Sequence, residues 1–585
     1  VLSTALVARV QTHGRHSDYR GIDDDNRGDG VCSARVLGFF AAFCPPRWDE
    51  LAGQDGQVWT LPRECSFSDY EATLARLHKG KATSLDRISK EMIELAPLEL
   101  RRAFYSASMQ IAAPTANGDR PQPAIWQRVP VNLIDKKVPA DEIRKKRDIG
   151  LPSQCLKIQA ALYLPAYERV MSRLHANNHG WTAGVAARGA AMVGGYALDH
   201  ALLLRHLLIA VYGDIQRFFP AMDREYVLLA EQWYGLPEDV RVATRALYQD
   251  ACMMYETEHG LADFDFALLH MTCGSIQGCL LSTEKAKIFL SSLAEAIDVV
   301  VGGAGVRFWN GQRGGGRRET SAFCADDVVG LVTSWSGADA FVNVLDEFGV
   351  VSASKFGIEG CAKTTWSALA HDGDGKPCEA TPPLTFQPSI GGIPLPRLPI
   401  DKAYPHIGDP RRLNGDQCEG RAKIFKLCMG WLARVRKVKR CNQREFAELT
   451  NAGFGAIVEA YSHCAPLTVP DGEEVEKVRR RHHELRFRGR FTRRNADRYL
   501  PATWQPAPNY GRLTREVAEA RMVGSGWFHV TAFAAAGLHA ATVSTLADGL
   551  NGQTSRCARS LLDLTCFMWG MRGSHPAIWI WDHLK

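Results

Sequence analysis

The chain has 585 residues and a formal net charge of +6, with 46% hydrophobic and 23% charged residues. This is ordinary globular usage; it excludes a mostly disordered, collagen-like or coiled-coil protein and, at roughly 100–200 residues per domain, predicts three or four structural units. The charge is uneven: residues 477–498 hold ten Lys or Arg against Glu484 and Asp497, a local net of +8 that leaves −2 for the rest, the footprint expected for a polyanion.

Residues 1–65 read as an irregular N-terminal segment, compatible with the end of a truncated upstream region. A helix is predicted from Ser66-Phe-Ser-Asp, with Tyr70, Leu74 and Leu77 at helical spacing. Residues 113–123 read as a loop, and helical patterns cover about 153–176 and 183–205. The short apolar run Leu207–Tyr212, ending at Gly213-Asp214, predicts a buried strand, and another helix is expected after Met222. Residues 311–318 read as a hairpin loop, and seven prolines in 372–399 mark a break. Beyond 415 the pattern is helical and basic. The longest uncharged stretch, Ser525–Ala547, contains His529 and His539 and reads as buried helix rather than membrane span. The sixteen cysteines form no Cys-x-x-Cys pair, so no zinc ribbon is written. Reduced thiols and an intracellular setting, nuclear or cytoplasmic, are the expectation.

Three acids stand at suggestive places. Asp214 ends the apolar strand, and Asp326 and Asp327 lie between Ala322-Phe-Cys324 and Val328–Val332. Apolar flanks on both sides predict strand, tight turn, strand, which puts both carboxylates at a hairpin tip beside the end of the Asp214 strand. Carboxylates grouped this way repel one another, and hard divalent cations are their natural compensation. A plain polar turn is the alternative for Asp-Asp taken alone. Gly274-Ser-Ile-Gln-Gly278 reads as a loop opening a helix from Lys285 to Ala294, its glycines admitting a close approach of backbone to a ligand. Of Phe218 and Phe219, one reads as core and the other as a ring available to a bound sugar.

In order along the chain these pieces resemble a reverse transcriptase of the non-LTR retrotransposon and group II intron type. Lys79-Gly-Lys-Ala-Thr-Ser-Leu-Asp86-Arg-Ile88 is similar to the family's entry to the fingers, Trp126–Lys137 to its next strand, and Arg147–Leu151 through Lys157 to the "RPIxLxxxxxK" segment. Asp214-Ile-Gln-Arg-Phe-Phe219 resembles the first palm motif, Gly274–Ser282 the "GxxQGxxLSP" motif, and Phe323-Cys-Ala-Asp-Asp327 the "YADD" motif. Gly357–Thr364 resembles "GLxxNxxKT", and Tyr404-Pro-His-Ile-Gly408 the primer grip. The departures are Cys324 for an aromatic, Asp148 and Thr283 for prolines, Pro220 where an acid is common, and Asn178-His-Gly-Trp181 for Gln-x-Gly-Phe.

The resemblance implies an α+β right-hand polymerase of fingers, palm and thumb, with a palm antiparallel sheet and a mainly helical thumb and C-terminal region. Fingers and palm would span 66–400; primer grip, thumb and the basic C-terminal region would span 401–585. It implies RNA-directed DNA synthesis on an RNA template and DNA primer from dNTPs, with no membrane partner. Asp214, Asp326 and Asp327 would hold two Mg²⁺ ions, with Mn²⁺ as a substitute, for addition to a primer 3′ end. Phe219 would be the steric gate against a ribose 2′-hydroxyl, and Gln277 and Gly278 would line the nucleotide pocket; a core aromatic and a helix cap are the alternatives. Arg147 would pair with the triphosphate, and Lys363 would act as general acid toward pyrophosphate; a solvated charge and a surface lysine are the alternatives. Arg486, Arg488 and Arg490, interleaved with Phe487 and Phe491, would line a nucleic-acid groove, against an exposed charged helix face. Two rival functions stand beside this: a catalytically weakened nucleic-acid-binding derivative of the same fold, and an unrelated metal nuclease. No Walker-type loop competes, because Ala75 stands where its first glycine is needed.

Overall fold

The computed structural model describes residues 29–43, 65–112, 123–135, 146–181, 187–248, 251–257, 260–261, 274–308, 318–358, 363–438 and a few short stretches between 445 and 478. All but the last residue of the predicted loops 113–123 and 311–318, the stretch Ser525–Ala547, and the basic run after Val478 with Arg486, Arg488 and Arg490 lie outside the described residues.

In chain order the principal elements are α1 (Asp29–Phe43), α2 (Phe67–Arg76), α3 (Lys90–Leu95), α4 (Leu98–Ala112), β1 (Arg128–Asp135), β2 (Lys146–Gly150), α5 (Gln154–Met171), α6 (Ala187–Leu204), β3 (Leu208–Asp214), α7 (Arg224–Trp233), α8 (Glu238–Ala246) and β4 (Cys252–Thr257). They continue with α9 (Leu280–Val301), β5 (Ser321–Cys324), β6 (Asp327–Val332), α10 (Trp335–Val351), β7 (Thr365–His371), β8 (Pro377–Glu379), β9 (Tyr404–His406), β10 (Asp409–Arg411) and α11 (Cys418–Lys437). The fold mixes α and β. Its central sheet is antiparallel throughout, in the order β8-β7-β3-β6-β5. A second sheet pairs β2 antiparallel with β1, and β1 parallel with β4.

Most sequence expectations are met by these elements. Ser66 caps α2 with a full capping box through Asp69, and Tyr70 and Leu74 are buried. The apolar run before Asp214 is β3, buried at all seven positions. Two expectations need correction. Only Asp326 of the acid pair lies in the hairpin turn, because the two-residue turn is Ala325-Asp326 and Asp327 pairs with Cys324 as the first residue of β6. Residues 29–43, read as part of an irregular segment, form a helix. Val36, Phe39 and Phe40 are buried at i, i+3, i+4 spacing, a signal obscured by the Asp, Gly and Arg cluster just before them.

Because side chains alternate across a strand, β3 feeds two cores. Ile209 and Val211 join the larger one, with α1, α5, α7, α9 and α10. Leu208, Ala210 and Tyr212 join the other, with Ala190, Val193, Ala197 and Ala201 of α6. The larger core centres on α9, sixteen of whose residues are buried. Phe289 of α9 lies 5.1 Å, centroid to centroid, from both Tyr226 of α7 and Phe348 of α10, and Phe40 of α1 lies 5.3 Å from Tyr226; such ring pairs add to the burial they share. Gly330 lets β6 pass over Phe341, since a Cβ there would sit 2.6 Å from that ring.

Beneath the 274–279 loop lies a buried ion pair. Lys285 Nζ is 2.7 Å from Glu231 Oε1, and the Tyr167 hydroxyl donates to the same oxygen at 2.6 Å. The Lys285 ammonium also lies 5.7 and 5.9 Å from the ring centroids of Tyr167 and Tyr248. A buried pair is satisfied only when both partners remain.

The loop's glycines are demanded by the fold. Gly274 has φ +82°, and a Cβ there would lie 2.3 Å from the Pro220 carbonyl oxygen; Gly278 has φ +114°, and its Cβ would lie 2.4 Å from the Gly150 carbonyl oxygen. Their first duty is close backbone-to-backbone packing. Gly278→Ala is therefore expected to lower the denaturant midpoint by a margin worth about 2 kcal/mol or more. Gly194→Ala, in α6 with open space around its Cβ position, should raise stability by about 0.5–1 kcal/mol. Equilibrium urea unfolding of both variants checks the contrast.

Candidate active site

The middle strand of the central sheet, β3, and its neighbour β6 bring the acids together. In the β3–β6 register Asp214 stands directly opposite Asp327. The β5–β6 hairpin closes through Ala325 and Asp326, with Cys324 opposite Asp327. Ala325 takes φ +57° while Asp326 does not have positive φ, the pattern of a type II′ turn, which fits the twist of the flanking strands. Glycine is the usual first residue of such a turn. An alanine there marks backbone strain held by the surroundings: the Ile215 amide donates to the Asp326 carbonyl at 3.1 Å.

On the other side of β3, Thr365 of β7 pairs with Tyr212, so Lys363 falls opposite Asp214. Its ammonium is 2.5 Å from Asp214 Oδ1. Backbone bonds fix both partners. The Gly357 amide donates to the Asp214 carbonyl at 2.9 Å, and the Lys363 amide donates to the Gly357 carbonyl at 3.0 Å. The Asp214 amide donates to the Thr364 hydroxyl at 3.2 Å.

The β9–β10 hairpin closes over the acids. Tyr404 stacks on Tyr212 with centroids 3.9 Å apart and planes 14° from parallel, and its hydroxyl donates to the Lys363 carbonyl at 2.7 Å. Ile407 and Gly408, both at positive φ, form the hairpin's tip, and the Ile407 amide donates to the Asp327 carboxylate.

Three carboxylates against one bonded ammonium leave the cluster short of positive charge. Burial, then the neighbouring Asp326 and Asp214, push the Asp327 carboxyl up to about 7. Burial, with Asp214 adding to it, also raises the Asp326 carboxyl. Desolvation disfavours the Lys363 ammonium, but its bond to Asp214 and the fields of all three acids outweigh this and hold its pKa above the ordinary lysine value. Arg147, exposed on β2, lies close enough to Asp326 to oppose the rise. Perturbed acids of this kind concentrate at functional sites.

The remaining predicted residues border the cluster. Phe218 is buried against Phe289, at a centroid distance of 5.8 Å, while Phe219 is only partly buried. This matches one ring for the core and one for the surface. The Ser275 amide donates to the Phe219 carbonyl and the Gly274 amide to the Met222 carbonyl, both at 2.8 Å. The Gln277 carbonyl accepts from the Gly150 amide at 2.8 Å, tying the loop to the strand that carries Arg147. Gly278 is exposed. The structure thus gathers Asp214, Asp326, Asp327, Lys363 and Arg147 into one electrostatic group, with Phe219, Gln277 and Gly278 on the elements beside it. The Ile407 amide and the Thr364 hydroxyl were not identified from sequence. A backbone donor leaves no residue-type signal, and Thr364 was visible only as the residue beside the lysine.

Among the described residues, no group of three or more His, Cys, Asp or Glu side chains is drawn close enough to hold a metal ion. The donor chemistry of the three acids nevertheless suits a hard cation, and the Lys363 ammonium takes that role at Asp214. Among the described residues no helix is long and apolar enough to cross a membrane. In comparisons with known proteins, no family model matches the chain and no curated protein matches it.

The raised Asp327 carboxyl has a pH signature. Its ordinary value is 3.8 and its folded value about 7, so between these the folded state holds more protons than the unfolded one. Stability therefore falls as pH rises from about 4 to about 7, by no more than about 4 kcal/mol for this group. Asp327→Asn should flatten that part of the profile in metal-free protein, as read by urea unfolding across the range.

Proposed function

We propose that the chain is an RNA-directed DNA polymerase of retroelement type, a nucleotidyltransferase extending a DNA primer on an RNA template. In this reading the central sheet is the palm of a right-hand polymerase, the β1–β2–β4 sheet with its flanking helices belongs to the fingers, and α11 begins the thumb. The observation that carries it is the convergence of Asp214, Asp326 and Asp327 at adjacent strand ends, beside a partly exposed Phe219 and the bonded Lys363.

Asp214, Asp326 and Asp327 would hold two Mg²⁺ ions, or Mn²⁺ in their place. When bound there, the metal supplies positive charge that favours ionisation of the primer 3′-hydroxyl and offsets charge on the triphosphate. The chain's own groups do the rest. Lys363, displaced from Asp214, remains within reach as a proton donor to the departing pyrophosphate. Arg147 offers a planar fork to phosphate oxygens. Phe219 would sit beneath the deoxyribose, where a 2′-hydroxyl would collide with its ring. The Gln277–Gly278 backbone, held to Gly150, forms the neighbouring wall. The basic run that holds Arg486, Arg488 and Arg490 would supply further positive charge for a polyanion.

A second reading, a nucleic-acid-binding derivative with weakened catalysis, is favoured by the Lys363 ammonium seated on Asp214. Primer extension separates the two. The parental protein should add dNTPs to a DNA primer on an RNA template only with Mg²⁺ or Mn²⁺ present, and Asp326→Asn should slow addition by at least about 10²–10³-fold with the fold intact by circular dichroism. Extension by Asp326→Asn at the parental rate would remove the acids from the chemistry, and duplex binding without parental extension would favour the derivative.

Sugar choice gives a further check. Phe219→Val should raise ribonucleotide incorporation relative to deoxyribonucleotide, measured as the ratio of kcat/KM values. Phe218→Ala should instead cost about 3–5 kcal/mol of stability.

A further inference from the structure

Trp181 combines three observations that packing alone does not explain. It is 37% exposed. It holds φ +51°, a left-handed conformation that bulky side chains rarely adopt. And it sits in the same ring cluster as the proposed sugar gate. Its indole lies nearly parallel to Phe218, at 8° and 6.3 Å between centroids, and meets Phe219 nearly edge-on, at 62° and 5.3 Å. Phe218 and Phe219 are themselves 5.4 Å apart at 61°.

The surroundings hold the residues that lead into this conformation. The His179 amide donates to the Phe323 carbonyl at 2.8 Å, and the Phe323 amide to the Asn177 carbonyl at 2.9 Å. The Asn178 side-chain amide donates to the Lys287 carbonyl at 2.9 Å and lies 3.1 Å from the Ser291 hydroxyl. Gly180 lies against the strained turn itself, where a Cβ would come within 3.0 Å of the Ala325 amide nitrogen. The segment 177–181 is thus clamped between the edge of β5 and α9, and the clamp delivers one aromatic ring to Phe219. Backbone strain held by such over-determination belongs with functional positioning.

We propose that Trp181 is a positioning residue for sugar selection: its indole fixes the Phe219 ring in the orientation that meets a 2′-hydroxyl. This rests on the polymerase reading. A free Phe219 ring would swing among rotamers, and a gate that swings loses discrimination before it loses turnover. An edge-to-face partner restricts that motion at little cost in space.

The test is single-nucleotide addition with matched deoxy- and ribonucleotides, comparing the parental protein, Trp181→Ala, Trp181→Leu, Trp181→Phe, Phe219→Ala and the double variant Trp181→Ala/Phe219→Ala. Trp181→Ala and Trp181→Leu should each lower the deoxy-to-ribo ratio of kcat/KM by about tenfold or more, with Tm within a few degrees of the parental value. Trp181→Phe, which keeps a ring, should stay within about threefold of the parental ratio. In the Phe219→Ala background Trp181→Ala should change the ratio by less than about twofold, because its effect passes through the ring already removed. Leu serves should the Ala variant fail to fold. An unchanged ratio in both non-aromatic variants overturns the proposal, as does an equally large effect with Phe219 absent. A parental protein that extends no primer overturns the polymerase reading and this one with it; a parental protein that extends normally while the variants keep its selectivity overturns this one alone.

Discussion

The repulsion among Asp214, Asp326 and Asp327 is the constraint around which the described fold is arranged. Strand register places Asp214 directly across from Asp327, and like charges directly opposite in a sheet are destabilising. The fold accepts this cost and offsets it locally. Lys363 bonds to Asp214 from the neighbouring strand, the Ile407 amide donates to Asp327, and Arg147 faces Asp326 from the second sheet. What remains is a carboxyl that stays protonated far above its ordinary range. A fold optimised for stability alone would place asparagine or threonine there.

Rigidity around the cluster comes from both faces of the central sheet. α9 and the aromatic group of Phe39, Phe40, Tyr226, Phe289 and Phe348 support one face, and α6 covers the other. The Lys285–Glu231 pair under the 274–279 loop adds directional bonds where an apolar core would give none. Tyr248 links that pair to the loop, its hydroxyl lying 3.3 Å from that of Ser282, which in turn donates to the Ile276 carbonyl at 2.8 Å. The wall beside the acids is thereby tied into the core, and a loop held this way loses little entropy when a ligand arrives.

Much of this was legible in the sequence, for identifiable physical reasons. A short apolar run ending in Gly213-Asp214 reads as a buried strand because nothing polar interrupts its pairing. Apolar flanks around Asp326-Asp327 read as a hairpin because both strands are buried, but the turn itself is Ala325-Asp326 and Asp327 begins β6. The capping box at Ser66 is local and so was visible. The helix Asp29–Phe43 was missed because its start is masked by a glycine- and charge-rich lead, although Val36, Phe39 and Phe40 carry the period. The contacts that cross the site were not legible. The Ile407 amide, the Lys363–Asp214 pairing and the Trp181–Phe219 ring contact depend on register and on positive-φ turns, which bring together residues distant in the sequence, Lys363 and Asp214 being 149 positions apart. The glycines of 274–278 were visible as glycines, but their partners Pro220 and Gly150 were not.

Calorimetric titration of the metal-free protein with Mg²⁺ or Mn²⁺, near neutral pH and in buffers of differing ionisation enthalpy, tests the central claim most directly. If the crowded carboxylates form the cation site, binding must expel the proton that Asp327 holds at a pKa of about 7. The account predicts saturable binding that releases about half a proton per protein near pH 7 and almost none near pH 9, and both the binding and the release should disappear in Asp214→Asn. Absence of binding, or binding with no proton released near pH 7, would contradict it.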